Sequence, residues 1–253
     1  MGDERLLGPP GVRRKLAALA HAEVNFDLAR LKDATPAGGW EIKDLCQPLP
    51  AEPPGMPVEG GSWETARRLM RGYEFADPSI VRAFYDPGKP LAQRDMLLKL
   101  QALGLVHLFV GVRVGDVYEQ SRESGGRPAR VWGWNYRTLE GHVEMGQMDW
   151  EVWKWLDSGE VEFRVHAVSR PAPISSPLVR IGFRLVRGYE RGLFLQSTKR
   201  RMRQLTELAL QAEPSPEPIR AAAAELTARP ARDTEAVHDQ LVRNIGDDDE
   251  LAP

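Results

Sequence analysis

The chain has 253 residues, 42% hydrophobic and 28% charged, an ordinary composition for a soluble globular protein with room for one large domain or two small ones. Its one cysteine, Cys46, excludes an internal disulfide framework and any multi-cysteine zinc site, and no apolar run reaches the about 18 residues that a membrane helix needs. A net charge of −2 gives no bulk attraction for nucleic acid or an anionic membrane.

The apolar run 16–20 is too brief for a targeting signal, and Leu6 stands where a myristoylation signal wants Ser or Thr. The expected location is cytoplasmic. Pro9-Pro10-Gly11 breaks the chain before a helix over 12–23, with Val12, Leu16, Leu19 and Ala20 on one side. We read 1–22 as a helical extension, 23–212 as one domain and 213–253 as an acidic tail. The proline- and glycine-dense stretch 46–61 predicts a loop. Ser62 is then placed to cap a helix over 63–71. Asp77-Pro78 predicts another helix start, with Ile80, Val81 and Phe84 as its apolar face.

From Leu103 the period changes from helical to two: Val106, Leu108, Val110, Val112 and Val114 mark a half-buried strand. A polar turn over 122–128 carries Gly125-Gly126. A Trp- and Tyr-rich strand follows over 130–139, then strands over 147–157 and 160–169 joined by Ser158-Gly159. With Asp157 opposite Glu160, Trp150, Val152, Lys154 and Leu156 share the core face with Val161, Phe163, Val165 and Ala167. The other face pairs Trp155 with Glu162, Trp153 with Arg164 and Glu151 with His166.

A long helix is predicted over 176–211. Leu178, Ile181, Leu185, Tyr189 and Leu193 form its broad apolar face, shared by Gly182 and Gly192. Arg180, Arg184, Arg187 and Arg191 lie opposite. After Gln196 the pattern turns, with Met202, Leu205 and Ala209 near the arginine side; this predicts a bend or a change of packing partner over 196–199. The tail over 213–253 has a net charge of −6, with a short helix expected over 219–228 and disorder at its end. Helices, antiparallel strands and a long terminal helix together give the α+β class, with a curved antiparallel sheet wrapped on the C-terminal helix. Glycines on the gripped face let the sheet approach closely or leave room for a ligand.

The run Gly133-Trp134-Asn135-Tyr136-Arg137-Thr138-Leu139-Glu140-Gly141-His142-Val143-Glu144-Met145-Gly146 resembles the G-F-x-Y-G-T-L-x-G-H-x-E-x-G-E signature of an uncharacterised family, domain of unknown function nineteen-ninety, found in bacteria and plants. Ala167-Val168-Ser169-Arg170-Pro171 resembles its A-x-S-R-P. The resemblance extends from about Val24 to Gln204. Arg137 stands where the pattern has glycine and Gln147 where it has glutamate. The resemblance brings no reaction. It implies an architecture like the helix-grip fold of lipid- and hormone-binding proteins.

Residues 138–146 read as a loop between strands, with Gly141 and Gly146 supplying unusual backbone angles. His142 is a proton carrier tuned by Glu144 or Glu140, or a loop pin. Arg170 clamps an anionic group, or bridges to Glu140 or Glu144 and joins the two motifs. Glu140, His142 and Glu144 lack a second histidine at ligand spacing, so no metal is expected. No cofactor is expected. Four strand tryptophans invite base stacking, but the body carries only +4 and no nucleic-acid motif, so no nucleic-acid partner is expected. The cluster Lys199-Arg200-Arg201-Arg203 meets solvent, an anionic surface or the acidic tail.

The leading expectation is a pocket between sheet and C-terminal helix for a small hydrophobic or amphipathic ligand. Leu178, Leu185, Tyr189, Val152 and Phe163 would line it, with Tyr136, His142 and Arg170 at its mouth. The alternatives are an enzyme using His142, Glu144 and Arg170, and an interaction module docking through the Trp153–Arg164 face or the basic helix.

Overall fold

The computed structural model describes residues 6–102, 106–173 and 177–211, with the backbone alone at 102, 106 and 177–186. Seven strands form one antiparallel sheet in the order β1-β7-β6-β5-β4-β3-β2: β1 Glu41–Leu49, β2 Val81–Phe84, β3 Asp95–Ala102, β4 Val106–Ser124, β5 Arg127–Thr138, β6 Glu144–Trp155 and β7 Val161–Pro171. Helix α1 is Pro10–Ala18, α2 is Ser62–Arg71 and α3 is Pro177–Gln211. This is an α+β, helix-grip-like arrangement: the sheet curves about the long C-terminal helix, and Phe194 of α3 meets Trp150 of β6 edge-on at 6.3 Å.

Alternation decides which side chains enter the core. Trp150, Val152 and Lys154 of β6 and Val161, Phe163, Val165 and Ala167 of β7 are all buried, as the period-two reading requires. The pairing itself is displaced by two residues: Lys154 faces Val161, and Trp150 faces Val165. The Trp155 N–H donates to the Glu160 carbonyl, and the Gly159 N–H donates back to the Trp155 carbonyl. Four residues therefore make the turn instead of two, and an even shift leaves every face unchanged. The β4–β5 turn is tighter, with positive φ at both Gly125 and Gly126, the geometry a two-residue hairpin favours.

Two expectations in this part of the chain are corrected, and one strand is added. Residues 46–49 belong to β1, an edge strand on which Pro48 costs no ladder bond within the sheet. Asp77 starts a single turn, closed by Ser79 N–H to its carboxylate and by Ile80 and Val81 N–H to its carbonyl. Val81 then opens β2. In β3, Met96 and Leu98 face one core while Leu97 joins Val12, Leu19, Phe84 and Leu139 beneath α1 on the other side. A strand buried on both faces shows no alternation to read.

Ser62 is the first residue of α2 and makes no cap. Glu52 does that work from the preceding loop: its carboxylate accepts from Trp63 N–H at 2.7 Å and Val58 N–H at 3.2 Å. It also pairs with Lys154 Nζ at 2.6 Å, and the Lys154 side chain is 0% exposed. A buried ammonium is tolerable only when paired and bonded, and Met56 supplies a further carbonyl. One carboxylate thus seats the α2 N-terminus on β6.

Helix α3 is continuous over Pro177–Gln211, and among its described residues the buried side chains Phe194, Leu195, Ser197, Thr198, Arg201, Met202, Leu205 and Thr206 form one inward stripe. Extended towards the N-terminus, that stripe reaches Arg191 and Arg187. No change of face at 196–199 is needed. The acidic tail lies outside the described residues.

Candidate functional site

The signature motifs converge at one end of the sheet. Thr138 ends β5, and its Oγ1 accepts from Gly146 N–H at 2.9 Å and lies 2.6 Å from Asn25 Oδ1. Asn25 Nδ2 donates to the Glu144 carbonyl at 3.0 Å. Gly146 has φ of 151°, and a Cβ there would stand 2.0 Å from the Val168 carbonyl oxygen, so only glycine lets β6 and β7 close. His142 sits in the turn with its Nδ1 accepting from Glu144 N–H at 2.9 Å. Burial pushes its pKa down to about 4, against the pull of Glu144. The ring is therefore neutral near pH 7 and carries its proton on Nε2.

Glu144 points inward, under α3. Its Oε1 accepts from Arg187 Nε, and its Oε2 accepts from Ser169 Oγ at 3.1 Å. Arg187 Nη1 reaches Glu41 Oε2 at 3.0 Å. Arg191 Nη1 lies 2.7 Å from Ser169 Oγ, 3.3 Å from Glu41 Oε2 and 3.8 Å from Glu144 Oε2. Lys43 adds a contact to Glu41 at 3.4 Å. Burial pushes the Glu41 carboxyl up, but Arg191, Arg187 and Lys43 outweigh it and hold its pKa below the usual value. Arg187 Nη2 and Arg191 Nε and Nη2 are buried and have no hydrogen-bond partner among the described residues.

An aromatic wall adjoins this polar cluster. Tyr136 lies 6.0 Å from Trp150 and 6.4 Å from Tyr73, ring centre to ring centre, and Phe194 closes on Trp150 from α3. Burial raises the Tyr136 phenol to about 12. It raises Tyr73 well above the usual value, with the Tyr136 hydroxyl adding to the effect. Both remain protonated. Tyr136 Oη is 3.4 Å from Met148 Sδ.

The expected constellation is brought together only in part. Tyr136 and Glu144 share the inward site, with His142 in the adjoining turn. Arg170 is elsewhere: adjacent strand residues point to opposite faces, so Ser169 faces α3 while Arg170 lies over the Trp40 ring at 4.6 Å, its Nε 3.0 Å from Met145 Sδ. Glu144 takes Arg187 in its place, and Glu140 accepts weakly from Glu23 N–H at 3.4 Å. The expected bridge between the motifs is therefore replaced, and His142, Glu144 and Arg170 do not meet on one surface. Tyr189 is 64% exposed and points away from the sheet. A Cβ on Gly188 or Gly192 would meet nothing within 4 Å. The side chains of Leu178, Ile181 and Leu185 lie outside those described. The expectation put Arg187 and Arg191 opposite the packed face of the helix; the structure turns them inward, where their partners, Glu41, Glu144 and Ser169, come from three separate strands. Their spacing of four, in phase with Phe194, Leu195 and Thr198, is the signal that could have found them.

The outer face is a second polar network. Trp153 and Trp155 are buried there, Trp153 under Arg122 and Arg164 and Trp155 under Arg127 and Arg164. Glu151 accepts from Tyr118, Arg122 and Trp153. The expected open Trp153–Arg164 docking face is thus already covered by its own arginines. Asp149 lies beside Gln147, opposite His166, and burial raises its pKa to about 6. Among the described residues no cluster could hold a metal ion, and no helix is long and apolar enough to cross a membrane.

No curated protein matches the chain significantly. Among solved structures it is similar to Ara h 8.0201, with 9% identity over 65% of this chain and 98% of that one and a TM-score of 0.37. It is similar to the hypothetical protein jhp0584 from Helicobacter pylori, with 11% identity, 73% and 96% coverage and a TM-score of 0.38. It is similar to human STARD10, with 10% identity, 85% and 86% coverage and a TM-score of 0.34. The model of one family, a domain of unknown function (DUF1990), matches residues 24–200, the span that holds both motifs and the inward cluster they build, and the chain belongs to that family.

Proposed function

We propose that the protein binds a small amphipathic molecule between the sheet and α3. One observation supports this reading. On the inward face of α3, Phe194 meets Trp150 of the aromatic wall, and the next two turns towards the N-terminus carry Arg191 and Arg187 into the buried carboxylate cluster, so an aromatic wall and a buried polar cluster adjoin. A molecule with an apolar body and a polar end matches that change. Its body would lie against Tyr136, Trp150 and Phe194, and its polar end against Arg187, Arg191 and Ser169, with His142 near the rim as a neutral hydrogen-bonding group. Packing of Tyr73, Phe75, Trp134 and Trp150 restricts the body to a small one.

Native mass spectrometry of the freshly purified full chain, followed by NMR of the tryptophan indole N–H signals, tests the reading. A co-purifying small molecule, or shifts at Trp150 on adding small amphiphiles, is expected. A bare protein whose Trp150 signal ignores aromatic and aliphatic amphiphiles alike would overturn it.

A further inference from the structure

We infer that the polar end of the bound molecule is a single carboxylate, held by the side edge of Arg191; this rests on the ligand-binding reading above. The Arg191 side chain is only 10% exposed. All its ionic contacts run through Nη1, to Ser169, Glu41 and Glu144. Nε and Nη2 are the two donors along the other edge of the guanidinium, and both are buried without a partner among the described residues. Two parallel N–H groups at that spacing match the two oxygens of one carboxylate. A single ketone or alcohol oxygen can meet both only by sharing itself between them at poorer angles and without charge assistance, whereas a carboxylate gives each N–H its own oxygen.

Charge is consistent with this. Among the described residues the buried guanidiniums of Arg187 and Arg191 meet the carboxylates of Glu41 and Glu144, and the half-exposed Lys43 adds a positive charge at the edge, so the cluster accommodates a monoanion more readily than a dianionic phosphate. Arg187 Nη2 is a third unmet donor from the adjacent helical turn. The molecule is thus an aromatic or short aliphatic carboxylic acid, with its apolar part towards Tyr136 and Trp150.

The test uses the full chain and three probes with the same ring system: naphthoate, acetonaphthone and methylnaphthalene. Binding is read from the indole N–H signals of Trp134 and Trp150. Naphthoate is expected to bind about tenfold tighter than acetonaphthone, the margin of one charge-assisted bidentate contact. Arg191→Lys keeps the charge but removes the fork; it is expected to erase that margin, with the dispersion of the indole N–H signals of the unliganded variant reporting an intact fold. Equal binding of all three probes, or a naphthoate advantage that survives Arg191→Lys, overturns the carboxylate assignment and leaves the ligand site standing. Binding of none overturns both. Should Arg191→Lys not fold, the ranking of the three probes on the unaltered chain decides.

Discussion

Arg137 and Gln147 are cross-strand partners on β5 and β6, with Arg137 Nε 3.1 Å from Gln147 Oε1. Arg137 also reaches Asp116 Oδ2 at 2.7 Å. Gln147 passes the interaction on, donating from Nε2 to Asp149 Oδ1 at 2.9 Å. Gln147→Glu removes this donor and sets a second carboxylate beside Asp149. The pKa of Asp149 should rise further from about 6. Carbon-13 NMR titration of the carboxyl carbon reads it, and an unmoved midpoint would show that burial alone sets the value.

Asp149 and His142 should produce opposite pH slopes in nearly the same window. The pKa of Asp149 rises on folding from 3.8 to about 6, so the native state binds the extra proton there and stability falls as pH rises through that range. The pKa of His142 falls on folding from 6.5 to about 4, so the unfolded state binds the extra proton and stability is lost as pH falls from 6.5 to 4. The two contributions largely cancel in the unaltered chain. Asp149→Asn should give a stability that rises with pH relative to the parent, and His142→Asn one that falls. Allowing for partial exposure, each difference should amount to about 1–2 kcal/mol across the window. Urea unfolding at a series of pH values measures both, and parallel profiles for all three proteins would contradict the assignments.

Removing Lys154 should be severe. Lys154→Ala leaves the Glu52 carboxylate buried without its cation, at a cost of about 3–5 kcal/mol. Glu52→Gln leaves the Lys154 ammonium buried without its anion and should be comparably severe, although its amide oxygen can still accept from Trp63 N–H; the double change Glu52→Gln with Lys154→Met, which removes both charges, should recover part of the loss. Denaturant midpoints of the three variants test this, and a double variant as unstable as the sum of the single ones would contradict the pairing.

Gly146→Ala should destabilise by about 2–4 kcal/mol, combining an unfavourable φ with a steric clash. A Cβ would press on the Val168 carbonyl and on Ser169, so the change should also disturb Ser169 and its bonds to Glu144 and Arg191. Thermal unfolding gives the first quantity, and chemical shifts of Ser169 the second. A stability loss with Ser169 unmoved would separate the motif's backbone role from the site.

The β6–β7 faces were legible because period-two alternation survives a pairing shift of two residues. Trp150, Val152, Phe163 and Val165 would face inward under either register. The face of α3 was not legible over its first half. Arginine is assigned to water by default, and the carboxylates that bring Arg187 and Arg191 inward are far away in sequence. Tyr136 and Glu144 stood out because the motif names them, whereas Glu41 lies in a strand with no alternation to mark it. Arg170 lies at the end of the sheet that its motif marks, but alternation along β7 turns it outward and Ser169 inward, which the motif alone does not tell.

Strand β1 lies at the sheet's edge, paired only with β7, so Glu41 faces Ser169 and Leu49 faces Val161. A chain leaving the ribosome must wait for more than a hundred further residues before this first strand finds its neighbour. Such long-range closure slows folding. Until it is complete, the nascent polypeptide carries an open strand and a half-built carboxylate–guanidinium cluster, and chaperone protection during synthesis would matter most over that interval.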